Sequence, residues 1–230
     1  MMRRSSFVGL ILATQFLCGA MAWAQGSFKI APVPLPSGSS IPAGLTAALQ
    51  SQGSQVLDSA GTAVCEIWLG NAVPLQASSN SSPDVMYGNL AVGTLVGALY
   101  FPKAGSDFRG QAIKPGYYTL RYALTPQDGN HMGVNPTRDF VLMSPVAQDT
   151  QVDKVLPFAD LLKLSKQASG TNHPAILTMD PAGTGATSSV VQNSQGFTVL
   201  QAQAQGKTAA GHAQLLNVAI VVVGQAPPTE

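Results

Sequence analysis

Charge is scarce in this chain: Asp, Glu, Lys and Arg together make up 10% of its 230 residues, against about 25% in an average soluble domain. The 12 Lys and Arg nearly cancel the 11 Asp and Glu, for a formal net charge of +1. No basic excess is available to neutralise a phosphate backbone, which excludes nucleic acid as an expected partner. A polar but nearly uncharged surface also argues against long-range steering, and leaves short hydrogen bonds and apolar patches as the recognition devices. Cysteine is limited to Cys18 and Cys65, and histidine to His131, His173 and His212, which stand far apart. HExxH, CxxC and calcium-loop spacings are lacking, so no metal is expected. A GxSxG elbow and a Ser-x-x-Lys pair are lacking too, so no serine nucleophile is indicated. Residues 183–188 are glycine-rich but have neither the lysine nor the strand-to-helix setting of a phosphate loop. Glu66 is the sole glutamate before the terminus, which leaves little for glycoside chemistry. No cofactor is expected.

The N-terminus carries a clear signal. Arg3 and Arg4 precede an apolar run over residues 7–22, and Ala22-Trp23-Ala24 supplies small residues of the kind a signal peptidase accepts. Residues 1–24 are therefore expected to be a signal peptide. The run is shorter than the roughly 20 residues of a membrane span and lacks a basic stop-transfer flank, so no span is expected after cleavage. The bulky Phe16-Leu17 before Cys18 speaks against a lipid anchor. Cleavage would leave Cys65 as the one thiol and rule out an internal disulfide. Alternation in Val64-Cys65-Glu66-Ile67-Trp68-Leu69 puts Cys65 on the face of Ile67 and Leu69, which favours burial over reactivity.

Residues 25–44 are rich in proline, serine and glycine and read as an extended leader, with one globular domain over residues 45–224 and a flexible tail over 225–230. Within the domain, short apolar or alternating runs separated by turn residues predict strands at 55–57, 63–69, 94–101, 117–124, 138–143, 175–179, 197–202 and 215–223. The last run is apolar on both faces and is expected to be a central strand. In the 117–124 run Tyr118, Leu120, Tyr122 and Leu124 share one face, while Tyr117, Thr119 and Arg121 share the other and are expected to meet something polar. One helix is predicted over 157–168, with proline at its start, Asp160 early, Lys166 late and Gly170 after its end; Phe158, Leu161, Leu162 and Ser165 form its inward stripe. The fold class is mainly β, an antiparallel β-sandwich, immunoglobulin-like or jelly-roll-like, with one short helix after the central strands.

Polar chemistry concentrates between Asp107 and Asp139. Arg109, Arg121 and Arg138, all the arginines beyond the signal, lie here with Asp128 and His131 on a turn-rich loop. Two readings stand side by side. In one, Asp128 and His131 meet an arginine that binds an anionic group, with His173 joining them, so that the candidate ligand-binding residues are Arg109, Arg121, Asp128, His131, Arg138 and His173. In the other, the arginines pair with Asp107, Glu66, Asp128 or Asp139 and pin loops over the sheets, a structural network that implies no catalysis.

The blocks Glu66-Ile67-Trp68-Leu69, Lys114-Pro115-Gly116-Tyr117-Tyr118-Thr119-Leu120-Arg121-Tyr122, Asp128-Gly129-Asn130-His131-Met132-Gly133 and Ser169-Gly170-Thr171-Asn172-His173-Pro174 resemble an uncharacterised family of exported bacterial proteins. The resemblance spans about residues 54–180. It implies a bacterial envelope setting and attaches no activity to any residue. The expected protein is extracytoplasmic and non-enzymatic, binding a small ligand or an envelope protein. The alternative is an envelope enzyme or metal-binding protein with a site around Asp128, His131, Arg138 and His173.

Overall fold

The computed structural model describes residues 27–38, 41–127, 137–185 and 187–226. The expected signal peptide, the loop holding Asp128 and His131, and the end of the expected tail lie outside them. In chain order the elements are β1 (Lys29–Pro34), α1 (Ala43–Ala48), β2 (Gln52–Leu57), β3 (Ala63–Leu69), β4 (Val73–Leu75), β5 (Leu95–Phe101), β6 (Gly105–Ser106), β7 (Ala112–Ile113), β8 (Gly116–Leu124), β9 (Asp139–Pro145), α2 (Phe158–Ser169), β10 (Ile176–Thr178), β11 (Ser189–Gln192), β12 (Thr198–Thr208) and β13 (Ala213–Val223). Strand outweighs helix, so the chain is mainly β with antiparallel sheets as expected, though it has two helices where the sequence predicts one. The missed helix, α1, is a short turn of Ala-Gly-Leu-Thr-Ala-Ala that buries Leu45. Six residues are too few to show an amphipathic period.

A seven-stranded sheet runs β1-β2-β3-β5-β8-β9-β10, each strand antiparallel to its neighbour and each neighbour later in the chain. The hairpin expected around Asp58-Ser59-Ala60-Gly61 joins β2 to β3, and the Asp58 carboxylate accepts from the N–H groups of Ala60 and Thr62 at 2.9 and 2.8 Å. A second sheet holds β11-β12-β13, with β4 pairing in parallel against the far end of β12. The two sheets share one core. Cys65, Ile67, Leu99, Leu120, Tyr122, Val141 and Met143 of the first meet Leu200, Ala204, Leu216, Val218 and Ile220 of the second.

Three expectations change. The expected central strand, β13, is buried on both faces from Val218 to Val222 and stands last in its sheet, its outer edge bridged at Ile220 to Met179 just beyond β10, with the Asp180 N–H donating to the Ala219 carbonyl at 3.0 Å. Apolarity on both faces reports cover above and below, and Phe108, Ala123 and Ile176 cluster with its Ala219 and Val221 on the face turned away from the shared core. The stretch read as a leader enters the sheet as edge strand β1, and Ile41 and Leu45 are buried beyond it. The Leu35 N–H donates to the Ser51 carbonyl at 2.8 Å. By alternation Pro32 and Pro34 then fall at positions whose backbone points away from β2, where a missing N–H costs no ladder bond. In the third change, the tail begins pinned, since the Ala226 N–H donates to the Phe108 carbonyl at 2.8 Å.

The predicted helix is α2, entered from Pro157 and closed by Gly170 at φ 67°, a left-handed turn suited to glycine. It buries Leu161, Ser165 and Ala168 and packs on β9, so the inward stripe runs one turn further than expected. Among the described residues, no helix is long and apolar enough to cross a membrane.

Candidate functional site

Alternation along β8 turns Thr119 and Arg121 to the sheet face away from the shared core. That face is not open to solvent. The chain leaving β9 folds back over it, and Arg121, Thr119 and Asp149 are all buried to within 1%. Arg121 Nε and Nη2 donate to the two oxygens of Asp149 at 2.6 and 2.9 Å, Nη1 donates to the carbonyls of Gly93 and Lys154 at 2.8 and 2.7 Å, and Nη2 donates to Gln151 at 2.8 Å. All five guanidinium N–H groups are committed. The Thr119 hydroxyl adds a 2.7 Å bond to Asp149. Of the candidate ligand-binding residues, Arg121 therefore has no donor left for a ligand, and its partner is an aspartate the sequence reading did not consider.

The aspartates at the two ends of the polar segment also hold loops. Asp107, fully buried, accepts from the N–H groups of Arg109, Gln111 and Ile176 and from the Gln111 side-chain amide, at 2.8 to 3.2 Å. Burial pushes its carboxyl above the ordinary range against the pull of those donors. Asp139 accepts from the N–H groups of Met86 and Tyr87 at 2.9 and 3.0 Å and from the Tyr122 hydroxyl at 2.7 Å. Burial, that hydrogen bond and the neighbouring charge hold the Tyr122 phenol far above its usual range.

Arg138 is half-buried and reaches the exposed Asp84 at 3.3 Å, with its Nε on the Thr125 carbonyl at 3.1 Å. The Asp84 carboxyl sits below its ordinary range because the Ser82 hydroxyl donates to it and Arg138 adds positive charge. Arg109 is half-buried in the loop tied to Asp107, and His173 is exposed, its carbonyl accepting from Ser169 and Thr171. Arg138 and His173 lie at opposite ends of the β9–β10 ladder, where Phe140 pairs with Thr178 and Leu142 with Ile176. At about 3.3 Å per residue that separates them by roughly 20 Å. The structure thus does not bring them together, and Asp128 and His131 lie outside the described residues. Among the described residues no three His, Cys, Asp or Glu side chains converge as metal ligands. Cys65 is buried, and burial plus the Glu66 charge pushes its thiol up to about 12.

No family model, curated protein or solved structure matches the chain.

Sequence reasoning missed a cleft between the sheets. At the β1 side of the molecule the two sheets leave an opening of about 520 Å³, bordered by Ile30, Gln52, Ser54, Ile67, Leu69 and Leu200 among others. Ile67, Leu69 and Leu200 form its floor, each less than 5% exposed. Gln50 braces its inner end, donating from Nε2 to the Gly70 and Gln203 carbonyls at 3.3 and 2.9 Å. Among the described residues, no Asp, Glu, Lys, Arg or His borders it. Its sequence signal was present in Ser54 and Val56, a polar and an apolar residue two apart and so on one strand face. The strand as read from sequence began only at Gln55.

Proposed function

We propose that this protein is an exported, non-enzymatic β-sandwich of the bacterial envelope that binds an uncharged ligand in the cleft between its sheets. Export rests on the pattern of Arg3, Arg4 and Ala22-Trp23-Ala24. The sandwich reading rests on the core shared by the two sheets. The large sheet's neighbours follow in chain order, while β4, between β3 and β5, crosses to pair in parallel with β12; an immunoglobulin-like or jelly-roll-like form is the finer reading of that sandwich. The observation that carries the binding role is the uncharged lining of the 520 Å³ cleft, whose volume falls within the about 300–1,000 Å³ of small-molecule sites. In a chain poor in charge, the buried ionic groups hold loops while the opening presents amide, hydroxyl and apolar surface.

The test is thermal unfolding of the protein and of Ala202→Trp, which fills the cleft from β12, against neutral oligosaccharides, neutral amphiphiles and capped peptides. A ligand at 100 times its Kd adds about 2.7 kcal/mol, or roughly 5–10 °C for a domain of this size. A rise in the parent that disappears in Ala202→Trp supports the reading. No rise with any class, or a rise that survives the substitution, overturns it.

A further inference from the structure

We propose that the cleft takes a neutral single-chain amphiphile, with its hydrocarbon chain on the floor of Ile67, Leu69 and Leu200 and a hydroxyl-bearing head between Gln52 and Ser54. The inference rests on the reading of the cleft as a ligand site and deepens it.

Ser54 is the group that points to a ligand. It pairs in register with Ile67, whose side chain belongs to the shared core, so both face inward. It is 7% exposed and borders the cleft, and among the described residues nothing hydrogen-bonds to its hydroxyl. The hydroxyls of Thr94, Ser144 and Thr178 also lack partners, but they are fully enclosed. Ser165, fully buried, donates to the Ala175 carbonyl at 2.8 Å. Ser54 thus presents to the opening a hydroxyl that no described protein group engages, free to donate to or accept from a ligand head.

The remaining lining narrows the chemistry. With no ionisable side chain at the border, a charged head would shed hydration without gaining a counter-charge. None of the bordering residues is aromatic, so a sugar ring has no stacking partner. An added peptide strand would need backbone donors at the free edge of β1. Pro32 and Pro34 remove two, and alternation leaves an outward N–H only at Ile30. An aliphatic chain needs none of these groups, and its head needs the amide and hydroxyl that are there.

Isothermal titration calorimetry with 1-monodecanoylglycerol, decanoate and maltohexaose, each below its aggregation threshold at pH 8, tests the proposal on the parent, Ser54→Ala and Ala202→Trp. Monodecanoylglycerol is expected to bind at least about tenfold more tightly than decanoate, to weaken about three- to tenfold in Ser54→Ala through one lost hydrogen bond, and to lose binding in Ala202→Trp. Equal or tighter binding of decanoate, or binding of maltohexaose alone that Ala202→Trp removes, overturns the amphiphile and leaves the cleft as a ligand site. Binding of monodecanoylglycerol that Ala202→Trp leaves unchanged overturns both. Absence of binding by all three overturns the amphiphile, and the broader melting screen then decides the cleft. Ser54→Ala keeps the fold readable if Ala202→Trp unfolds the protein.

Discussion

Two places on the large sheet, the Arg121 network and the cleft beside Ser54, treat their polar groups in opposite ways. On the outer face Arg121 and Asp149 are fully buried and every guanidinium donor is used. On the inner face Ser54, 7% exposed, turns its hydroxyl to the cleft, and nothing in the described chain hydrogen-bonds to it. A saturated network holds a fold and has nothing to offer a ligand, whereas an unanswered group beside an opening offers both. The density of charge in the sequence therefore marks the anchor, and the proposed site falls where charge is missing.

The strongest test of this contrast removes the anchor. Asp149→Ala leaves a buried guanidinium without its anion and is expected to lower stability by about 3–5 kcal/mol, a large share of the about 5–15 kcal/mol of a typical domain. Urea unfolding measures it. For a simple buried pair, replacing both partners by apolar residues is often close to neutral. Here Arg121→Met with Asp149→Leu is expected to remain unstable, because Arg121 also serves the carbonyls of Gly93, Gln151 and Lys154. Full recovery would reduce the network to one ion pair.

Asp139→Asn comes next, with an expected loss of about 1–3 kcal/mol. One carboxylate oxygen serves Tyr87 and Tyr122 and the other serves Met86. An amide puts N–H where one acceptor was, and faster hydrogen exchange at the Met86 or Tyr87 amide reports which oxygen is lost. Arg138→Ala should cost less than about 1 kcal/mol, since its partner Asp84 is exposed and the pair is screened. A loss near that of Asp149→Ala would make the whole arginine cluster one structural unit.

Much of the fold was legible. The β2–β3 hairpin, the core face of β8 and the span of α2 follow from alternation, turn residues and a proline-to-glycine frame that act within a few residues of each other. What was not legible depends on distant partners. Nothing around Asp149 signals that it lies over Arg121, because the strand β9 between them sets that meeting. The order of β13 in its sheet is likewise a long-range fact, since burial on both faces arises at an edge that other elements cover. The prolines of β1 suggested an unpaired leader, although proline is compatible with an outward-facing edge. The cleft was the least legible feature, being a gap between two sheets that only the packing creates.

The smallest expected effect decides most about the proposed site. Ser54→Ala deletes a hydroxyl that makes no hydrogen bond to the described chain and faces the opening, so stability should change by less than about 0.5 kcal/mol. Ser165→Ala is the matched control. It deletes the same atom from a fully buried serine whose hydroxyl donates to the Ala175 carbonyl at 2.8 Å. Its expected loss is about 0.5–1 kcal/mol, part of the lost hydrogen bond being offset by the better helix propensity of alanine. Equal losses at the two serines would mean that Ser54 has a structural partner and that the contrast between the network and the cleft fails. A stable Ser54→Ala protein that binds monodecanoylglycerol more weakly would show a hydroxyl kept for recognition rather than for folding.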